Sequence, residues 1–227
     1  MGLGVDVRLA ILERTYCFYK YDRSCKVPGV PTETGPRAEA SRRTREAIVA
    51  ATVRIVAREG VAAVTHRRVA AEAGVALSST TWHFAAKADI LEAALHWTAR
   101  REVEGMRAIA DRLGGTRFDA SAWAEELGAW LVEQVTGERQ IAVALYRLQV
   151  ELIGSAGARR VHREWGEGLQ AVGERVLESS PTTTPELDIR LVVAALDGLR
   201  MGVISSEDQD VEWLREAVRR QLQALLG

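Results

Sequence analysis

Gly74 separates two short apolar-periodic stretches, and this arrangement constrains the chain more than any other feature. Upstream, Thr65 is placed to cap a helix that buries Val69, Ala70 and Ala73 on one face. Gly74 can adopt the left-handed backbone that a tight inter-helix turn demands, and Val75 can plug the core beneath it. Downstream, residues 77 to 83 read as a second short helix, within a run of hydroxyl, aromatic, imidazole and ammonium donors that reaches Lys87. Two helices joined in this way have the layout of a helix-turn-helix, whose second helix fits the major groove of DNA.

The flanking sequence continues in the same idiom. From Arg42 the pattern is helical, with Ile48, Ala51, Thr52, Ile55 and Val56 on one stripe until Gly60 stops it. A short apolar link, 61 to 64, leads into Thr65. Further helical stretches are expected at roughly 88–113, 119–135, 138–155, 159–178, 186–204 and 210–226, separated by Gly-rich or Ser/Thr/Pro-rich breaks. Ala, Leu, Arg and Glu dominate, only 5 prolines occur, and alternating Val/Ile/Thr runs are scarce. The expected fold is therefore all-α, about nine helices, with an N-terminal three-helix unit followed by a larger helical domain.

Three regions follow: a flexible extension over 1–40, a helix-turn-helix domain over 41–87, and a larger helical domain over 88–227. The extension has Pro28, Pro31, Gly35 and Pro36 and no sustained period, as a linker does. A basic arm built on Lys20, Arg23 and Lys26 is the alternative, although acids nearly cancel its bases. Charge is uneven. Residues 37 to 87 carry nine Arg/Lys against four Glu, a surplus of five in a chain whose net charge is −1. Such a basic segment suits phosphates, beside a second half that is acidic. No apolar run approaches the ~18 residues of a membrane span, and Arg8, Glu13 and Arg14 interrupt the one near Leu9, so a cytoplasmic protein is expected. Cys17 and Cys25 imply neither a disulfide framework nor a metal site.

From Arg42 to about residue 95, the chain resembles the tetracycline-repressor (TetR) family. The resemblance rests on the Arg-rich start, Arg58-Glu59-Gly60, Thr65, Val69-Ala70, Ala73-Gly74-Val75, the Ser-Thr-Thr-Trp-His-Phe run, and Lys87 followed by Ile90-Leu91. It implies a homodimeric repressor whose second half binds a small-molecule effector and forms the dimer. On that reading residues 77–83 are the recognition helix, and Leu77, Ser78 and Thr81 face base edges. Arg67 reaches in from the preceding helix, its planar fork suited to guanine. Thr65, Ser79, Trp82, His83 and Lys87 hold phosphates, His66 lies within reach of DNA, and Arg42 and Arg43 add attraction. Phe84 is expected in the core, Trp82 partly buried with its N–H free, and Arg68 as a solvated charge. Ala76, Thr81 and Ala85-Ala86 depart from residues usual in the family, with two helix caps lost, which leaves the operator sequence open.

Five of the six tryptophans lie beyond residue 87. Trp97, Met106, Trp123, Trp130, Tyr146 and Trp165 are the effector-pocket candidates, and each is equally at home in a helical core. Leu191, Ala195 and Leu199, with Trp213, Leu214, Val218 and Leu222, form two apolar stripes expected at a dimer interface. The partners implied are double-stranded DNA, a second copy of the chain and an unidentified small molecule, with no cofactor, metal or membrane. No GxSxG, HExxH or P-loop supports an enzyme.

Overall fold

A computed structural model of the protein describes residues 35–114, 117–206 and 210–226. Most of the expected extension, including Cys17, Lys20, Arg23, Cys25 and Lys26, lies outside the described residues. The chain divides into two compact units, 1–42 and 43–227. Within the first, the Glu39 N–H donates to the Gly35 carbonyl at 3.1 Å and the Glu39 carboxylate pairs with Arg42.

Nine α-helices and no strand are found among the described residues: α1 (Pro36–Glu59), α2 (His66–Ala73), α3 (Leu77–His83), α4 (Lys87–Leu113), α5 (Ala120–Val135), α6 (Arg139–Leu152), α7 (Ala156–Leu177), α8 (Pro185–Ser205) and α9 (Val211–Leu226). The helix α1 starts at Pro36, a residue pre-set for a first turn, rather than at Arg42 as the apolar stripe alone suggests. The link after it is a single 3₁₀ turn, Val61–Ala63. Local chemistry sets the other ends. The Thr65 hydroxyl accepts the Arg68 N–H at 3.1 Å, Asp119 caps α5 and Ser155 caps α7. Gly74 closes α2 at φ 67°, ψ 30°.

Two apolar clusters hold residues 43–227 together. The first begins in α1 with Ile48, Ile55 and Val56 and takes in Val64, Val69 and Phe84. It then continues along α4 through Ile90, Leu95 and Val103 to Leu145 and Leu148 of α6 and Trp165 of α7. Packing is therefore continuous across Lys87, where the sequence places a domain boundary. The second cluster joins Ile109 of α4 to Leu127 and Leu131 of α5, Leu196 of α8, and Leu214, Val218 and Leu222 of α9.

That second cluster corrects part of the expected dimer interface. Leu214, Val218 and Leu222 are 0, 1 and 2% exposed, spent on the chain's own core. Their i, i+4, i+8 spacing shows that a face is buried, and says nothing about which molecule covers it. Leu191 and Trp213 are exposed, whereas Ala195 and Leu199 are half-buried.

Replacing Leu214 by Ala removes a fully buried side chain and should lower the unfolding free energy by about 2–5 kcal/mol, measured by urea denaturation. A loss below about 1 kcal/mol would place Leu214 outside the core.

Candidate nucleic-acid interface and apolar cavity

Helix α3 is only two turns long, so its faces are easily separated. Thr80, buried, and Phe84, 3% exposed, point inward one turn apart. Leu77, Ser78, Thr81 and Trp82 are all exposed, with Ser78 and Trp82 on the face opposite Thr80. Trp82 is 74% exposed, more than the half-buried ring expected of it, because Thr80 and Phe84 take the inward positions. Its ring meets His83 edge-on at 4.5 Å. The Thr81 hydroxyl donates back to the Ser78 carbonyl at 3.1 Å, which leaves its methyl group as the outward feature. Ser79, His66 and His83 are half-buried.

Ion pairs sort the arginines of this region. Glu72 of α2 accepts from Arg54 Nε at 2.9 Å and from Arg58 Nη2 at 2.8 Å, clamping α2 onto α1. Arg68 donates to Glu59 at 2.7 Å. The neighbouring Arg67 is exposed and has no ion-pair partner among the described residues. Of the two adjacent arginines, then, Arg68 is tied into the domain and Arg67 is left to reach outward. Arg43 is exposed, as is Arg42 within its own unit. Arg45 lies over the Phe84 ring, 5.1 Å from its centre. Burial, and after it the positive charge of Arg45, pushes the His83 pKa below its ordinary value, so at neutral pH the imidazole is an uncharged hydrogen-bonding group.

The start of α4 departs from a full capping box. Ala86 has no side-chain acceptor to offer, yet its N–H donates to Asp89 Oδ2 at 2.9 Å, so one of the two reciprocal bonds is kept. Ala76 likewise gives α3 no side-chain cap. Lys87 is exposed, and its Nζ reaches the Ala62 carbonyl at 3.5 Å.

Two polar constructions tie this region to the second half. Arg147 Nη1 of α6 donates to the carbonyls of Val56 and Ala57 at 2.8 and 2.9 Å, near the C-terminal end of α1. Its neighbour Tyr146 accepts from Arg200 Nε at 2.8 Å and donates to Asp197 at 3.2 Å. Arg200, 2% exposed, also donates to Glu102 of α4 and to Asp197. Burial pushes the Glu102 carboxyl and the Tyr146 phenol upward against the pull of Arg200, while the acidic groups around Arg200 outweigh its own burial and keep it charged.

A cavity of about 80 Å³ lies between α4, α5, α7, α8 and α9. Met106 and Trp123 line it, as do Leu169, Val176, Val193 and Leu196. The other effector candidates lie elsewhere. Trp97 carries Arg101 over its ring at 5.1 Å, and Trp130 packs so closely on Gly105 that a methyl group there would come within 2.5 Å of its Nε1. Tyr146 belongs to the Arg200 network, and Trp165 stacks on His162. The aliphatic lining carried no sequence signal to separate it from ordinary core.

The fold is shared with known proteins. The family model "Bacterial regulatory proteins, tetR family" matches residues 48–94, and "Tetracyclin repressor-like, C-terminal domain" matches 118–227. A crystal structure of the multidrug binding protein EbrR complexed with imidazole is 33% identical. The match covers 78% of this chain and 93% of that one, with a TM-score of 0.57. The chain belongs to the TetR family of bacterial regulators. A TetR-family structure from Streptomyces coelicolor A3 (SCO1917) is 32% identical over 78% of this chain and 97% of its own, at a TM-score of 0.60. A TetR transcription regulator from Haloarcula marismortui, 21% identical over 82% of this chain and 100% of its own, has the same fold at a TM-score of 0.65. No curated protein matches the chain.

As a TetR-family member the protein is a DNA-binding transcription regulator and not an enzyme. Among the described residues no helix is long and apolar enough to cross a membrane, and no cluster of His, Cys, Asp and Glu has the makings of a metal site.

Hydrogen bonds from Arg58 and then Arg54 hold the Glu72 pKa at about 2, against an ordinary 4.5. A depressed carboxylate contributes stability above its unfolded pKa, and that contribution is lost as pH falls from 4.5 to about 2. Acid titration of stability should therefore be flatter across this window in Glu72→Gln than in the wild type. Parallel curves would show that the clamp contributes nothing.

Proposed function

We propose that this regulator is a repressor that binds a pseudo-palindromic operator as a homodimer and is released by a small-molecule effector. Residues 41–87 read the DNA, and residues 88–227 carry the effector site and the dimer contact. The observation that carries the DNA reading is the split between Arg67 and Arg68: Arg68 is held by Glu59, whereas Arg67 is exposed with no ion-pair partner among the described residues, and Leu77, Ser78 and Thr81 are exposed as well. Arg67 takes guanine O6 and N7 in the major groove, Ser78 meets a base edge, and the Thr81 methyl and Leu77 meet thymine methyls. Lys87, Thr65, Ser79, His66, Trp82 and His83 fix the register on phosphates, with Arg42 and Arg43 adding attraction. A DNA-reading regulator of this kind works in the cytoplasm.

The dimer contact is the outward stripe of α8. Leu187, Leu191, Ala194, Gly198 and Met201 recur at alternating spacings of four and three and are exposed. Open space surrounds Gly198, so two such helices can approach closely. Trp213 of α9, 52% exposed, extends the surface. The stripe sits one residue off the expected Leu191, Ala195 and Leu199 stripe. A twofold dimer presents two copies of α3 about 34–36 Å apart, one DNA turn, or a multiple of it.

The cavity is the effector site, a reading supported by relatives whose crystal structures hold imidazole and ethidium. Met106 lines it on α4, nineteen residues beyond Lys87, or about 28 Å along one helix. A ligand that moves Met106 moves the base of the DNA-reading unit.

Gel mobility shift on intergenic DNA flanking the protein's own gene should show salt-sensitive binding. Arg67→Ala should relax preference at one position per half-site by about 1–3 kcal/mol, and Lys87→Ala should weaken all sequences alike and reduce the salt slope by about one. Arg68→Ala should leave selectivity intact; an equal loss in Arg67→Ala and Arg68→Ala would remove Arg67 as the base reader.

Light scattering should give twice the 24.9 kDa chain mass, with Leu191→Glu monomeric. A wild-type monomer, or a dimer untouched by Leu191→Glu, would overturn the α8 contact.

A further inference from the structure

We propose that the cavity takes a neutral, lipophilic molecule and rejects ions of either sign, in contrast to the relative whose structure holds the cation ethidium. The proposal rests on reading the cavity as the effector site and adds the chemical class of the ligand. Its wall is aliphatic wherever α7 and α8 face each other, through Leu169 and Val176 on one side and Val193 and Leu196 on the other. Among the described residues no lining residue is ionisable, and the Trp123 indole supplies the only polar side-chain atom of the lining apart from the Met106 sulfur. An ion entering such a space loses its hydration shell and receives no counter-charge in exchange. Two aromatic side chains, Trp123 and Phe118, offer a cation far less than the water it would leave.

The surroundings of the cavity add no charge preference. It shares Phe118 and Leu226 with an open groove that is also lined by Arg117 and Asp119, one charge of each sign. The buried charges of Arg200 and Glu102, with the half-buried Asp197, are already committed to one another and are absent from the lining. A neutral molecule therefore gains the whole apolar surface at no desolvation cost of its own. Met106 is unbranched and adaptable, so the space can follow the ligand's shape.

Gly173, also in the lining, faces Ile189 so closely that a methyl group there would lie 2.5 Å from its side chain. A larger residue at 173 would force α7 and α8 apart. Cavity-filling substitutions are accordingly better made at Val193, on the opposite wall.

The test uses three bicyclic probes of nearly one shape on the full-length protein by isothermal titration calorimetry: 1-methylnaphthalene, its cationic isostere 1-methylquinolinium, and 1-naphthoate. The neutral probe should bind at least about tenfold more tightly than either ion, and Val193→Phe should weaken it by a similar factor. If Val193→Phe fails to give the wild-type helical circular dichroism, Met106→Ala replaces it and should change the neutral probe's affinity while leaving the order of the three. An ion bound as tightly as 1-methylnaphthalene, or a neutral affinity indifferent to the cavity variant, overturns the proposal. Gel shift with each probe separates this from the effector reading. Neutral binding that leaves the DNA complex intact sinks the effector role and keeps the ligand class, whereas release by an ion alone keeps the effector role and sinks the class.

Discussion

The rest of the structure depends on α4 being one unbroken helix of 27 residues. Its N-terminal turns belong to the packing around Phe84 and Val69, its middle carries Glu102 into a buried ion network, and its last turns reach Ile109 in the second cluster. A helix cannot absorb a displacement at one point without breaking i→i−4 hydrogen bonds, so motion at either end is felt at the other. The continuous core across Lys87 has the same consequence, since the DNA-reading unit has no packing boundary behind which to stay still.

The polar contacts make that connection directional. Arg200 is a cation in an apolar interior, tolerable only because Glu102, Asp197 and Tyr146 all face it. Removing one partner would leave charge buried without compensation, which costs far more than the intact network contributes. The network therefore fixes α4, α6 and α8 in register. Tyr146 and Arg147 are consecutive, yet the first turns into this network and the second holds two carbonyls at the end of α1. Helix α6 thus connects the buried charges to the DNA-reading unit without passing through α4.

What was legible in the sequence follows the range of the forces involved. Thr65 as a cap, Gly74 as a left-handed stop, the stripe from Ile48 to Val56 and the helix limits beyond residue 87 all obey rules that span at most a few residues. The exposure of Trp82 is not legible, because a seven-residue helix is too short for periodicity to say which of Thr80 and Trp82 faces inward. Leu214, Val218 and Leu222 are legible as a buried stripe, but their spacing cannot say that this chain's own helices cover it. The contacts of Arg147 with Val56 and of Arg200 with Glu102 span 91 and 98 positions, and no spacing rule reaches that far. The cavity was half legible: Met106 and Trp123 stand out by residue type, whereas Leu169, Val176, Val193 and Leu196 look like any core.

On the proposed reading, the two faces of α8 bring ligand and partner into one element. Its inner side contributes Ile189, Val193 and Leu196 to the cavity, and its outer side presents Leu191, Ala194 and Gly198 to solvent. A molecule entering between α7 and α8 presses on the inner face, and because packed helices shift as bodies rather than deform, the outer face must follow. In a dimer joined through that face, the spacing between the two α3 helices changes with it. DNA fixes its half-sites at whole helical turns, so a shift of a few ångströms at α8 is enough to move the pair off register. Ligand release would then need no contact between the effector and the DNA-reading residues, only the mechanical fact that one helix is shared.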